Sequence, residues 1–139
     1  MPKFSISSLQ RLGTCHLRLQ KLFNRVVIGW DCTVLEGKRG EEQQKINVAK
    51  KVSKTLDSKH VYPLDKPSLA VDVAPYPLKW PDPKSPTYAK DLALWYAFGG
   101  YVMGVADGMG IKIKWGADWD GDQIINDQDF DDLPHFELL

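Results

Sequence analysis

Histidine, cysteine and late basic residues are all scarce in this 139-residue chain, which has three histidines, two cysteines and no lysine or arginine after Lys114. Two cysteines, Cys15 and Cys32, cannot build a disulfide framework or a cysteine-rich zinc site, so both are expected to be reduced thiols. A long apolar run is missing too. The best stretch, residues 92–106 (LALWYAFGGYVMGVA), holds 15 uncharged residues between Asp91 and Asp107, too few to span a bilayer, so no membrane insertion is expected. It reads as a buried helix whose Gly100, Gly104 and Gly108 let a neighbouring element come close. Those glycines lie inside the run instead of opening a helix after a strand, which excludes a dinucleotide fingerprint. The opening MPKFSISSLQRLG lacks the apolar core and cleavage site of a conventional secretion signal, so synthesis is expected to end in the cytoplasm.

Hydrophobic residues make up 43% of the chain and charged residues 26%, the balance of a soluble globular protein, and the length suits one domain over residues 1–139. The formal charge is zero but unevenly spread. Residues 115–139 carry eight acids and no base, which leaves 18 basic against ten acidic residues, or plus eight, in the preceding 114. Clustered carboxylates repel one another unless cations hold them together, so this end points to metal and not to nucleic acid. The basic remainder suits an anionic polymer such as bacterial wall, with a solvated surface as the blander alternative.

Apolar residues at three- and four-residue intervals in residues 5–26 indicate one or two short amphipathic helices around Gly13. Residues 26–30 and 32–35 read as extended structure before a turn at Gly37. EEQQKINVAKKV, beginning at Glu41, reads as a polar helix with acids first and lysines last, as the helix dipole favours. Residues 58–67 form a loop by composition, and LAVDVA (69–74) is a β-prone segment whose one charge is Asp72. Five prolines between 75 and 86 then impose an irregular connection. After the glycine-containing helix, IKIKW (111–115) alternates as a strand, an acidic loop follows, and HFELL closes the chain as a last strand. This order favours an α+β fold: a small antiparallel sheet with helices packed on it.

A catalytic zinc needs about three protein ligands, drawn from imidazoles and carboxylates, and an open position for water. His60 and His135 sit beside acids in polar, turn-rich settings, and Asp72 is a lone charge in an apolar strand whose burial a metal would offset. Taken singly, each histidine reads more readily as structural. Asp132, three residues before His135, is placed to take and return a proton. Glu137 shares the face of His135 on a strand and could orient its ring, while Phe136 points into the core. His16, with no carboxylate nearby, reads as a surface or packing histidine, and Trp80, Trp95, Trp115 and Trp119 as core or loop anchors.

The segments EGKRGEEQQ (36–44), SKH (58–60), SLAVDVAPYP (68–77), WGADWDGD (115–122) and DDLPHFEL (131–138) together resemble the phage endolysins of the L-alanyl-D-glutamate peptidase type. These belong to the wider group of zinc peptidases that includes D-alanyl-D-alanine carboxypeptidases and dipeptidases. The resemblance implies that His60, Asp72 and His135 bind Zn2+ and that Asp132 is the catalytic base. It implies that Arg39 holds an anionic substrate group or the charge developing on the scissile carbonyl, for which a forked guanidinium is suited. The implied partner is bacterial peptidoglycan, cut between L-alanine and D-glutamate by a monomeric enzyme held in the host cytoplasm until release to the wall. One departure stands out. VYPLDKPSLAV separates His60 from Asp72, longer than the compact family motif, and is read as a loop insertion, with Asp65 as the rival ligand.

The acidic loop offers a second metal. Asp118, Asp120, Asp122, Asn126 and Asp129 fall at positions one, three, five, nine and twelve of a calcium loop, with the Ile124 carbonyl at seven. Gln123 replaces the usual sixth-position glycine and Asp129 is shorter than the usual glutamate, so the competing reading is a hydrated acidic turn. Two other functions stay open: a D-alanyl-D-alanine carboxypeptidase sharing the metal core, and a non-catalytic calcium-binding wall module.

Overall fold

In the computed structural model, residues 2–49, 58–61, 63–125 and 131–139 are described. Helix α1 (Ile6–Leu12) starts at Ser5, whose side chain accepts from Ser8 N, and buries Ser8 and Leu12. Helix α2 (Leu17–Gly29) starts at His16, whose Nδ1 accepts from Arg18 N at 3.1 Å. His16 is therefore a helix cap, consistent with its structural reading. Leu19, Leu22, Phe23, Val26 and Val27 form the buried stripe of α2. The expectation of extended structure from residue 26 is corrected here, because Val26 and Val27 continue that helical stripe onto the sheet. Their packing outweighs the strand preference of β-branched residues.

Strand β1 (Cys32–Glu36) follows, then the polar helix α3 (Glu41–Ala49), whose expected continuation into residues 50–52 lies outside the described residues. Strand β2 (Ala70–Pro75), helix α4 (Tyr88–Gly108), strand β3 (Ile113–Gly116) and strand β4 (Asp132–Leu138) complete the order. The four strands form one antiparallel sheet in the order β1-β2-β4-β3. This is the expected α+β arrangement.

The core lies on one face of that sheet. Val34, Val71, Val73, Phe136 and Leu138 pack there with Phe23 of α2 and Phe98 and Val102 of α4. Because strand side chains alternate, the residues between them, Asp72, His135 and Glu137, are turned to the opposite face. Cys15 and Cys32 are buried and unbridged, as expected, and burial pushes both thiols up to about 12, which keeps them unreactive.

Helix α4 buries Trp95, Phe98, Gly99, Val102 and Ala106 at helical spacing, and no helix among the described residues is long and apolar enough to cross a membrane. The glycine expectation is corrected. Nothing lies within 4 Å of a side chain added at Gly100, Gly104 or Gly108, whereas a Cβ at Gly99 would stand 2.0 Å from the Trp115 ring. Gly99 alone of the four faces the sheet. Gly99→Ala is expected to destabilise the protein by about 1–3 kcal/mol, the cost of overpacking, because the Trp115 ring is stacked on Phe136 and has little room to yield. An unchanged urea midpoint would contradict that close contact. Trp95 and Trp115 are core residues, and Trp80 stacks on Trp95 at 4.7 Å while remaining 54% exposed.

Candidate metal centre

Antiparallel pairing sets Glu36 opposite Asp72 and Asp72 opposite His135, a row across three strands on the face away from the core. His60 reaches this row from the turn at residues 58–61. His60 Nε2 lies 3.1 Å from Asp72 Oδ1 and 3.2 Å from His135 Nδ1, and His135 Nδ1 lies 3.4 Å from Asp72 Oδ1. Tetrahedral zinc with bonds of about 2.0–2.1 Å keeps its ligand atoms about 3.3–3.4 Å apart, so the triangle has the size of one face of such a shell. Both imidazoles and the carboxylate oxygen fit a metal ion.

The outer hydrogen bonds decide which nitrogens face inward. His60 Nδ1 donates to Gly37 O at 2.8 Å, and a carbonyl only accepts, so Nε2 keeps its lone pair toward Asp72. His135 Nε2 donates to Glu137 Oε1 at 2.9 Å, so Nδ1 keeps its lone pair toward the same point. Three electron-pair donors converge, and a cation reconciles them. Positive charge is favoured at the same point: burial would lower His135, but its hydrogen bonds to Asp72 and Glu137 raise it to about 9, so a proton on Nδ1 competes with a metal for that lone pair. Burial would raise Asp72, but His60 and His135 hold it well below the ordinary carboxylate range. Burial would also raise Glu137, and its hydrogen bonds to His135 and Lys59 hold it low.

Asp132 joins the site through an irregularity of β4. Residues three apart on a regular strand point to opposite faces. Here Trp115 pairs with Phe136 while the next residue, Gly116, pairs with Asp132, so residues 133–135 bulge out of register. Pro134, which has no N–H to give to a ladder, lies in that bulge, and Trp115 Nε1 donates to the Leu133 carbonyl at 2.8 Å. The bulge brings Asp132 Oδ2 to 3.8 Å from His135 Nδ1. Gly116 permits the approach, since a Cβ there would stand 2.0 Å from Asp132 O. Burial, and then the Asp72 charge, push the Asp132 carboxyl up to about 6 against the pull of His135, His60 and Arg39. Tyr96 anchors the preceding residue by donating to Asp131 Oδ2 at 2.8 Å.

The irregular segment at residues 37–39 seats His60. Gly37 supplies the carbonyl that orients the ring, and a Cβ on Gly37 would strike Thr14 Oγ1 and Arg11 O. Arg39 N donates to His60 O at 2.7 Å. The Arg39 side chain, 9% exposed, grips Glu36 with a two-pronged hydrogen bond of 2.7 and 2.8 Å and feels the charges of Asp72 and Asp132. Arg39 thus pairs with Glu36 at the edge of the candidate metal centre. Lys38 Nζ donates to the Val61 and Pro63 carbonyls, clamping the start of the lengthened His60 to Asp72 connection. Asp65 is exposed in that connection and stands outside the ligand cluster.

The sequence matches the phage L-alanyl-D-glutamate peptidase family over residues 1–139. The chain belongs to that family. As a member it is a peptidoglycan endopeptidase. No curated protein sequence matches it. Among solved structures, the L-Ala D-Glu endopeptidase ChiX of Serratia marcescens matches with a TM-score of 0.72 and 23% identity, covering 99% of this chain and 91% of that one. At that identity the likeness establishes the shared fold.

Beside the candidate metal centre, Asp118, Asp120 and Asp122 bring carboxylate oxygens together, and Ile124 is exposed with its N–H donating to Asp122 Oδ1 at 2.8 Å. Asn126 and Asp129, the other two side chains of the expected calcium loop, lie outside the described residues. Three neighbours of the centre escaped sequence reasoning: Lys59, the Gly37 carbonyl, and Trp119, whose ring lies 5.2 Å from that of His135. All three lie within the family segments SKH, EGKRGEEQQ and WGADWDGD, which is the one signal that could have drawn attention to them.

Proposed function

We propose that the chain is a zinc-dependent endolysin that hydrolyses the amide between L-alanine and D-glutamate in the peptidoglycan stem peptide. The reading is carried by the convergence of His60 Nε2, Asp72 Oδ1 and His135 Nδ1 with their lone pairs inward. Zinc bound there supplies Lewis acidity toward the scissile carbonyl and the attacking water. Asp132 takes the proton that the water loses as its oxygen bonds to the carbonyl carbon. It then delivers that proton to the D-glutamate nitrogen as the C–N bond breaks. A carboxyl raised to about 6 is well matched to both halves of that task. Arg39, held in place by Glu36, stabilises the negative charge on the substrate side. Digestion of purified peptidoglycan should release fragments with new N-terminal D-glutamate. Free D-alanine as the sole product would move the assignment to a carboxypeptidase, and no product with no bound zinc would favour a non-catalytic module.

We propose also that the loop beginning at Asp118 binds calcium. Asp118 Oδ1 is buried without a hydrogen-bond partner among the described residues, an arrangement that costs about 1–3 kcal/mol unless a ligand meets it. Gln123, at the sixth position, has a φ of 67°, the left-handed backbone that a calcium loop places there and usually assigns to glycine. Calorimetry should show saturable calcium binding that Asp118→Ala abolishes. Absence of binding at about 1 mM calcium, the weak end of such loops, would leave a hydrated acidic turn.

A further inference from the structure

The geometry points to Lys59 as a positioning residue of the metal centre, one that acts on His135 through Glu137. The inference rests on the zinc reading above. Lys59 Nζ lies 3.1 Å from Glu137 Oε2, while the other oxygen of the same carboxylate, Oε1, accepts from His135 Nε2 at 2.9 Å. Each oxygen of Glu137 therefore has one cationic or N–H partner, and the carboxylate is held between them. The ammonium also donates to Leu138 O at 2.6 Å, so Lys59 touches both residues that close β4. Its own backbone is fixed in turn, since Lys59 O accepts from Leu69 N at 3.0 Å and from Ser68 Oγ at 3.2 Å.

Lys59 immediately precedes His60, and this adjacency gives the contact its consequence. The two histidines are 75 residues apart and stand on different elements, yet a metal needs their nitrogens about 3.3 Å apart. No described backbone hydrogen bond joins the turn at residues 58–61 to β4. The Lys59 side chain makes that connection. It ties the segment carrying one ligand to the strand carrying another, and it neutralises the carboxylate that sets the tautomer of His135. Without Lys59, Glu137 would lose the partner that fixes its second oxygen, and the carboxylate could swing away from the His135 ring. Outer partners of metal-bound histidines act in this way, fixing ring orientation and raising ligand basicity.

Zinc affinity, measured by competition with a chelating indicator on the full chain, tests the relay without recourse to turnover. Lys59→Met should weaken zinc binding by a factor of about 10 to 100, the range for outer partners of metal ligands. Lys59→Arg should restore most of it, and Lys59→Gln, which keeps a donor for Leu138 O but drops the charge, should not. Lys59→Gln carries the same test if Lys59→Met fails to fold, judged by the melting temperature of the metal-free protein. In a Glu137→Gln background, loss of the Lys59 charge should add little. Full affinity in Lys59→Gln would overturn the inference, as would an equal loss with and without Glu137, which would make Lys59 a loop anchor only. If the wild-type chain itself takes up no zinc, the zinc reading falls and this inference with it. That outcome is distinct from a wild type that binds and a Lys59 variant that binds equally.

Discussion

Changing Asp132 to Ala leaves zinc content at the wild-type level and lowers stem-peptide hydrolysis by about 100- to 10,000-fold, the contribution of a positioned general acid and base. The two halves of that expectation have separate structural grounds. Metal is retained because the ligand triangle closes without Asp132: its edges run from 3.1 to 3.4 Å among His60, Asp72 and His135, whereas Asp132 Oδ2 stands back at 3.8 Å from His135 Nδ1. Turnover is lost because, in the proposed site, Asp72 is taken up as a ligand and Glu137 is committed to the ring's outer nitrogen, which leaves Asp132 to carry the proton. Asp132→Asn keeps the shape and removes the basicity, and should lose nearly as much. Metal analysis run beside peptide hydrolysis decides the matter. An emptied site would make Asp132 a ligand, and an undiminished rate would remove it from the chemistry.

His60→Ala should do the opposite, emptying the site and losing activity as a result. His60 is 2% exposed and supplies one of three donors, so its removal should cost more zinc affinity than the roughly 10- to 100-fold attached to an outer partner. The substitution also strands the Gly37 carbonyl, whose described side-chain partner is the His60 ring, and opens a cavity beside Val61. A lower melting temperature of the metal-free protein is therefore expected alongside the metal loss. Stoichiometric zinc surviving dialysis in this variant would mean that the metal lies elsewhere. The contrast between the two variants matters more than either alone, because one separates chemistry from binding and the other removes binding itself.

Much of the architecture was legible locally. The apolar spacing in α2 and α4, the alternation of β3 and the lone charge in β2 are properties of short windows, and the elements formed where those patterns lie. Residues 32–35 coincide with β1, but residues 26–30 do not extend, because Val26 and Val27 suit a strand by propensity and a helix by position. Only the sheet beneath them settles which prevails. The glycines of α4 illustrate the same limit. Spacing showed a row of small residues at 100, 104 and 108, whereas the close contact falls at Gly99, the residue that the helix turns toward Trp115.

For the site, the sequence by itself determined the kinds of donor available and the strand alternation that sets Asp72 and His135 apart from the core. Tertiary structure decided the rest. Strand register placed Asp72 between Glu36 and His135, a bulge over residues 133–135 carried Asp132 to the same face, and the Gly37 carbonyl and Glu137 carboxylate chose which nitrogen of each histidine looks inward. A sequence names a ligand but not the direction of its lone pair. That direction depends on hydrogen bonds between residues as far apart as 37 and 60, or 59 and 137, which form only once the chain has folded.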